Sequence, residues 1–335
     1  MKLFVLTLKR LAWFVPTMVG LIVIIFIISH IIPADPVALV AGDTATPEQV
    51  EALRAQLGFD KPLPVQLVYY IARLATGDMG TSLYTARAIS TDLAHRLPAT
   101  IELTLLAMLL SVVVGIPLGV VSALRRNSVL DHVLRLISVS GLAIASFWLG
   151  IMLQLLFSMR LGWTPLSGRI EGFPPEHVTG LFLLDAVLTW DFQSLWKALA
   201  HITLPALTLA FPALATVVRF TRAGVLDVIQ SNFVLYERAM GFPPAQIVWK
   251  YVLRNALIST VTQLGLLFGI LLAGTVVIET VFDWPGIGNY AFNSIVMSDY
   301  NAIMGFTVWA GGMFILVNLL VDLAHSFIDP CETGP

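Results

Sequence analysis

Long apolar runs separated by shorter polar segments dominate this chain of 335 residues. A helix needs roughly 20 apolar residues to cross the hydrocarbon core of a membrane. Runs in lipid must be helical, because unpaired backbone groups there find no water to bond. The pattern therefore predicts an all-α polytopic membrane protein with six transmembrane helices: Leu11–Ala34, Leu103–Leu124, Leu136–Met159, Ala198–Val218, Ala256–Ile278 and Tyr300–Val321.

The segment between the first two predicted spans carries its own helix signals. Thr46 is a good N-cap, Pro47 suits a first helical turn, and Gln49 completes a capping box. A second helix is predicted from Pro64 to Thr76, followed by Gly77 as a stop signal. Two roles fit this segment: a cap over the membrane-embedded core, or a landing platform for a partner on the external side.

A polar interruption, Ser231–Leu257, separates the fourth and fifth predicted spans. Its first part fits a short helix that Gly241 ends, and Pro243-Pro244 allows a new helix to begin but not the old one to continue. Large apolar side chains stand beside charges where exposure is expected, which favours a partner with a groove. A plain connecting loop is the alternative. The predicted docking residues are Phe233, Tyr236, Glu237, Arg238, Ala239 and Gly241.

Proline and glycine also punctuate the segment after the fifth predicted span, Asp283–Gly288. Such residues favour a tight turn. Non-helical backbone at membrane depth is tolerated where protein or a water-filled cavity covers it. We interpret the segment as a turn near the outer mouth of a pathway, formed by Trp284, Pro285, Gly286 and Gly288.

Composition and charge support a membrane protein of fixed orientation. Hydrophobic residues make up 57% of the chain and charged residues only 12%, against about 25% charged in soluble domains. This argues against buried core helices of a large soluble protein. With the N-terminus inside, 11 of the 19 basic residues fall on cytoplasmic segments, which predicts an N-in, C-in topology. The first apolar run is too long for a secretory signal, so we expect a retained span.

These signals divide the chain into four parts. Residues 1–34 are the N-terminal transmembrane helix, and residues 35–97 form an extracytoplasmic helical segment. Residues 98–325 form a five-helix core with a cytoplasmic coupling loop at 219–255, and residues 326–335 are a cytoplasmic tail.

Catalytic and coupling chemistry is missing from the sequence. The six histidines are scattered, Cys331 is the single cysteine, and none of the five lysines follows a glycine, so neither a zinc cluster nor a Walker A loop is expected. Acids are absent from the middles of the predicted spans. Glu102 and Asp322 lie near span ends, where snorkelling or capping would explain them. We predict no catalytic residue, metal or cofactor, and transport that needs an outside motor.

The interrupting segment resembles the Glu-Ala-Ala loop of permease subunits in binding-protein-dependent ABC importers of the oligopeptide, dipeptide and nickel type. Glu237, Ala239 and Gly241 match that loop, although Arg238 stands at its middle position, Pro243-Pro244 follow the glycine, and Ile258-Ser259 replace a Leu-Pro pair. The likeness extends over nearly the whole chain, through Ile32–Pro36, Leu57–Pro62, Gly77–Ser82, Arg96–Thr100, Arg254–Ala256 and Trp284–Gly288.

The resemblance implies a non-catalytic subunit that forms half of a translocation pathway. Its partners would be a second, similar permease, two cytoplasmic ATPase subunits and an extracytoplasmic solute-binding protein, with no nucleic acid. The 231–245 loop would seat a coupling helix on an ATPase. Peptides or similar small solutes are the favoured cargo, and nickel chelates, opines and sugar conjugates stay open. A membrane receptor or scaffold that recruits a cytoplasmic partner through the same loop is the alternative function.

Overall fold

The computed structural model describes residues 2–31, 45–57 and 60–328. In these ranges the chain is helical, and the only β-type pairing is an isolated bridge between Thr81 and Ala88, as the all-α prediction requires. The Ile32–Pro36 motif, Gly58-Phe59 and Cys331 lie outside the described residues. The helices are α1 Lys2–Ile31, α2 Pro47–Leu57, α3 Leu63–Ala75, α4 Ile89–Leu124, α5 Val129–Ala143, α6 Ser146–Leu153, α7 Phe182–Leu188, α8 Phe192–Val228, α9 Asn232–Ala239, α10 Leu253–Val281, α11 Ile287–Val296 and α12 Tyr300–Ile328.

Four of the described helices are long and apolar enough to cross a membrane, over Ile89–Leu124, Phe192–Val228, Gln263–Val281 and Tyr300–Leu319. A fifth candidate is the bent pair of α5 with Ser146–Arg160. The described apolar part of α1 is Phe14–Ile28, which is shorter than a span. The first span, the count of six and the N-in, C-in orientation therefore stay predictions.

The third predicted span, Leu136–Met159, is not one straight helix. It breaks at Ile144 and Ala145, whose backbones are extended, and the two halves meet at 105°. Both halves pack on α8, and the second half also packs on α10. A Cβ on Gly141 would lie 2.9 Å from Ala215 Cβ, and one on Gly150 would lie 3.1 Å from the ring of Phe282. The run of apolar residues contains no proline at the break, so hydropathy alone predicted a continuous span.

The chain divides into two compact units, residues 1–98 with 286–316, and residues 99–285 with 317–335. The core of the second unit is a buried cluster contributed by α4, α8 and α10. Helices α4 and α8 touch without a gap, because a Cβ on Gly115 would lie 2.8 Å from Val217 Cγ1 and one on Gly119 would lie 2.7 Å from Thr221 Cβ. The spacing of these two glycines is the one that permits close helix approach.

The first unit contains the predicted external helices. The capping box at the start of α2 is confirmed, because the Thr46 amide donates to Gln49 Oε1 at 3.0 Å and the Gln49 amide donates to Thr46 Oγ1 at 3.4 Å. Helix α3 ends before Gly77, whose φ of 81° suits a residue without a Cβ. Ser82 donates to the buried Asp299 carboxylate at 2.5 Å, which ties the segment before α4 to the start of α12.

Candidate functional site

The helix–glycine–restart pattern predicted for residues 231–245 is confirmed. Ser231 precedes α9 in an extended conformation, and Gly241 follows the helix with a φ of 80°. Pro243 is extended and Pro244 begins a single helical turn. Between that turn and α10, Ile247–Val252 form a π-helical turn that the sequence did not indicate.

Helix α9 has one buried residue, Val234; Glu237, one turn later, is half-buried, and its other residues are exposed. Val234 has no exposed area and packs with Val120, Val225 and Val252 in a cluster that also contains Ala123, Ile247, Val248 and Ala256. One side of α9 is therefore held against α4, α8 and the residues that lead into α10. Helix α9 is therefore fixed to the second unit through the buried cluster that contains Val234.

The opposite side of α9 carries the predicted docking residues. Tyr236 is 65% exposed, Phe233 is 39% exposed, and Arg238, Ala239 and Gly241 are exposed as well. Met240 extends the apolar part of this surface. Glu237 differs from its neighbours, because its Oε2 is buried and accepts no hydrogen bond from the described residues. A buried carboxylate oxygen without a donor is costly. Because the chain itself covers this oxygen, Glu237 lies at the edge of the docking surface, next to the side of α9 that Val234 anchors.

The residues predicted for an outer-mouth turn occupy a tight connection between α10 and α11. Trp284 is buried, and its indole N–H donates to the Ala99 carbonyl at 2.9 Å within the second unit. The left-handed residue is Asp283, with a φ of 48°. Gly286 is extended and directly precedes α11, while Gly288 lies buried inside that helix. Neither Gly286 nor Gly288 has a positive φ that would require a glycine. The turn therefore forms in a different way from the one predicted from its proline and glycine residues.

Glu102 does not snorkel, contrary to one of the two sequence interpretations; it is buried in an ion pair and also caps the first turn of α7. It is buried and paired with Arg169, itself buried, whose Nη2 lies 2.5 Å from Glu102 Oε2. Arg169 also donates to the Gly180 carbonyl at 2.8 Å, and Glu102 Oε1 accepts from the Leu183 amide at 2.6 Å. The Arg169 guanidinium lies 3.6 Å from the centre of the Phe182 ring. Burial lowers the pKa of Arg169, and the Glu102 charge opposes that shift.

A second buried carboxylate, from α10, contacts α4 close to Glu102. Glu279, in the last turn of α10, accepts from Thr100 Oγ1 at 2.6 Å and has no exposed area. We call Thr100, Glu102, Arg169 and Glu279 the Glu102 cluster. The sequence carries one signal for it, namely ionisable residues that border apolar runs. The contact between Glu102 and Arg169 spans 67 positions, so spacing could not pair them.

The described residues contain no group of three or more His, Cys, Asp or Glu side chains arranged to hold a metal ion. The buried ionisable groups of the second unit instead bond to one another and to backbone. Asp131, at the start of α5, accepts from Arg222 Nε at 2.8 Å and Nη2 at 2.9 Å. These contacts hold helices against one another. The candidate binding surface of the described residues is therefore the one on α9.

Comparison with known proteins places the chain among transport proteins. The family model described as the binding-protein-dependent transport system inner membrane component matches residues 115–331, and a model for the N-terminal part of such membrane components matches residues 3–104. A probable D,D-dipeptide transport system permease protein, DdpB of Escherichia coli, is 45% identical over 326 residues, 96% of each chain. The glutathione transport system permease protein GsiC of Pectobacterium atrosepticum is 38% identical, again over 96% of each chain.

The helical fold described above is also similar to that of one chain in a solved transporter structure. The MetNI methionine ABC transporter, in an inward-facing conformation, has a chain that matches with a TM-score of 0.54 at 19% identity, covering 71% of this chain and 96% of that one. Together with the family matches, which cover nearly the whole length, this gives one conclusion. The chain belongs to the family of inner-membrane components of binding-protein-dependent transport systems.

Proposed function

We propose that the chain is the permease subunit of an ATP-driven importer in the bacterial inner membrane and forms half of its translocation pathway. The observation that carries the proposal is the exposed surface of α9. One residue anchors the helix in the core, and its other side presents aromatic, charged and small residues to a partner. The family and the 45% identical permease support the same conclusion.

Energy enters through α9 in this proposal. Two cytoplasmic ATPase subunits bind the paired loops of the two permeases, one of them on the α9 surface that exposes Phe233 and Tyr236 beside Glu237, and hydrolysis takes place in them and not in this chain. ATP binding closes the ATPases and shifts the permeases between inward- and outward-facing states, since a ligand shifts an equilibrium by its preference for one state. A nearly complete shift needs a preference of about 5 kcal/mol.

The remaining partners follow from the pathway. A second, homologous permease supplies its other half, and an extracytoplasmic solute-binding protein delivers cargo beside the 283–288 turn. This arrangement requires the predicted N-in, C-in topology, with residues 35–97 outside, the 219–255 segment inside and the 326–335 tail inside. In this arrangement Trp284, Pro285, Gly286 and Gly288 border the outer mouth of the pathway.

We propose short peptides as the cargo. The relatives include permease proteins named for D,D-dipeptide, dipeptide and glutathione transport. A peptide chain also needs no metal cluster for its passage, and the described residues hold none.

The purified chain alone should hydrolyse no ATP above background, because its sequence has no phosphate-binding loop. Added to the two ATPase subunits of its importer, it should capture them, and the complex should hydrolyse ATP faster when the loaded solute-binding protein is present. The measurement is phosphate release in proteoliposomes, with and without each component.

Turnover by the isolated chain would contradict a non-catalytic role. Capture of a partner without nucleotide-binding motifs, together with failure to capture ATPase subunits, would instead support a receptor or scaffold that uses the same α9 surface.

A further inference from the structure

A single buried carboxylate joins three elements of the second unit. Asp131 has no exposed area. It accepts two hydrogen bonds from Arg222 of α8, at 2.8 and 2.9 Å, one from Ser122 Oγ of α4 at 2.6 Å, and one from the amide of Asn127 in the α4–α5 turn at 3.0 Å. We call Asp131, Arg222 and Ser122 the Asp131 clamp. It lies at the end of α4 opposite to the Glu102 cluster.

The helices joined by the clamp already touch along their lengths. Gly119 is three positions before Ser122, and a Cβ there would lie 2.7 Å from Thr221, the residue before Arg222. A Cβ on Gly141 of α5 would lie 2.9 Å from Ala215 Cβ of α8. Interiors packed to this density do not deform continuously. Helices α4, α5 and α8 can therefore shift only together while the clamp is intact.

The same helix ends hold α9. Val225, one turn beyond Arg222, belongs with Val120 and Ala123 of α4 to the cluster that buries Val234. A force on α9 reaches Val234 first, and then the ends of α4 and α8 that the clamp joins. The clamp and the anchor of α9 are thus successive layers of one packed assembly.

A buried ion pair contributes little net stability compared with apolar packing, but its geometry is strict. A bidentate arginine fixes both the position and the orientation of its carboxylate. The Asp131 clamp is suited to hold the register of three helix ends, a task that apolar contacts perform less sharply. The clamp therefore contributes more to the relative positions of the helix ends than to the stability of the fold.

We infer that Asp131 and Arg222 are positioning residues for coupling: they make α4, α5 and α8 move as one body with α9. This inference rests on the proposed function, in which α9 receives the motion of the ATPase subunits. Without the clamp, α9 still binds its partner, but its motion is taken up locally and does not reach the pathway.

The test uses the complete importer in proteoliposomes and measures solute taken up per ATP hydrolysed. Asp131→Asn keeps the shape of the side chain and removes its charge. Arg222→Lys keeps the charge and removes the two-point contact. Both variants should still bind the ATPase subunits and hydrolyse ATP, while uptake per ATP falls on the order of tenfold, within the range of energetic couplings between sites.

Arg135→Gln is the matched control. Its guanidinium lies 3.6 Å from the same Asp131 carboxylate, but its side chain is 46% exposed, so its loss should change uptake per ATP by less than about twofold. The double variant Asp131→Asn/Arg222→Gln leaves no buried charge unpaired. It should assemble at least as well as Asp131→Asn and remain poorly coupled.

Normal uptake per ATP in Asp131→Asn and Arg222→Lys would overturn the inference, and so would full recovery of coupling in the double variant, which would assign the clamp a purely structural role. If a single variant fails to accumulate, the double variant decides. Failure of the unaltered chain to bind any ATPase subunit would instead refute the proposed function, and this outcome is separate because it needs no clamp variant.

Discussion

Replacing Glu237 by arginine should abolish solute uptake while the chain still inserts and folds. Glu237 is half-buried at the edge of the exposed surface of α9, one turn after Val234, and its Oε2 is covered and without a donor among the described residues. Reversal of the charge puts a longer guanidinium at the rim of the surface where we propose that the ATPase binds. A mismatched charge at an interface costs several kcal/mol, so uptake should fall on the order of 100-fold. Uptake into proteoliposomes containing the complete importer measures this.

Gly241→Asp should have the same consequence by a different route. Nothing lies within 4 Å of the position of a Cβ on Gly241, and its φ is 80°, a region that aspartate and asparagine enter more readily than other residues. The fold should therefore survive. The added carboxylate must be covered by the partner, and burying an unpaired charge is costly.

Two matched controls separate docking from folding. Gly241→Asn places a neutral side chain of the same shape in the same backbone conformation, and should retain most of the uptake. Glu51→Arg reverses an exposed charge on α2, which the proposed topology places on the external side, and should leave uptake unchanged. Normal transport by both Glu237→Arg and Gly241→Asp would refute the assignment of α9 as the docking helix.

Removal of Arg169 should produce the largest loss of stability among single substitutions considered for this chain. Arg169→Met leaves Glu102 buried without its counter-charge, and breaking a buried ion pair from one side costs about 3–5 kcal/mol. The unfolding temperature of the purified protein in detergent should fall by roughly 10 °C. Glu102→Gln/Arg169→Met should recover much of that loss, because no charge is left unpaired and an amide oxygen still accepts from the Leu183 amide.

The exposed pair of Arg73 and Asp78 is the control for this experiment. Its distance is 2.8 Å, similar to that of the buried pair, but both side chains are more than half exposed. Arg73→Met should therefore lower the free energy of unfolding by less than about 1 kcal/mol. Equal effects of Arg73→Met and Arg169→Met would show that burial of the Glu102 pair does not determine its contribution.

Local signals in the sequence predicted much of this fold. The capping box of α2, the stop at Gly77 and the break at Gly241 each depend on one or two residues whose backbone preference is strong. The long apolar runs that became α4, α8, α10 and α12 are also recognisable from the local sequence alone. These features need no knowledge of distant contacts.

Features that depend on tertiary packing were not predicted. The break at Ile144-Ala145 lies in an apolar run without proline or glycine at the bend, and it accompanies packing of the second half on α10 as well as on α8. Glu102 and Arg169 are far apart along the chain, so a span-end position suggested snorkelling where the structure has a buried pair. The sequence shows aromatic residues beside a glycine break, and the structure exposes Phe233 and Tyr236 there. That this surface docks a partner stays a prediction.

Photo-crosslinking from α9 tests the central claim most directly. A photoreactive phenylalanine analogue at Tyr236, which is 65% exposed, is compared with the same analogue at Val68 of α3, which is 66% exposed. After illumination of membranes containing the whole importer, mass spectrometry identifies the adducts. We predict adducts between position 236 and an ATPase subunit, and none between position 68 and that subunit. Adducts with the ATPase from position 68 but not from position 236 would contradict the account.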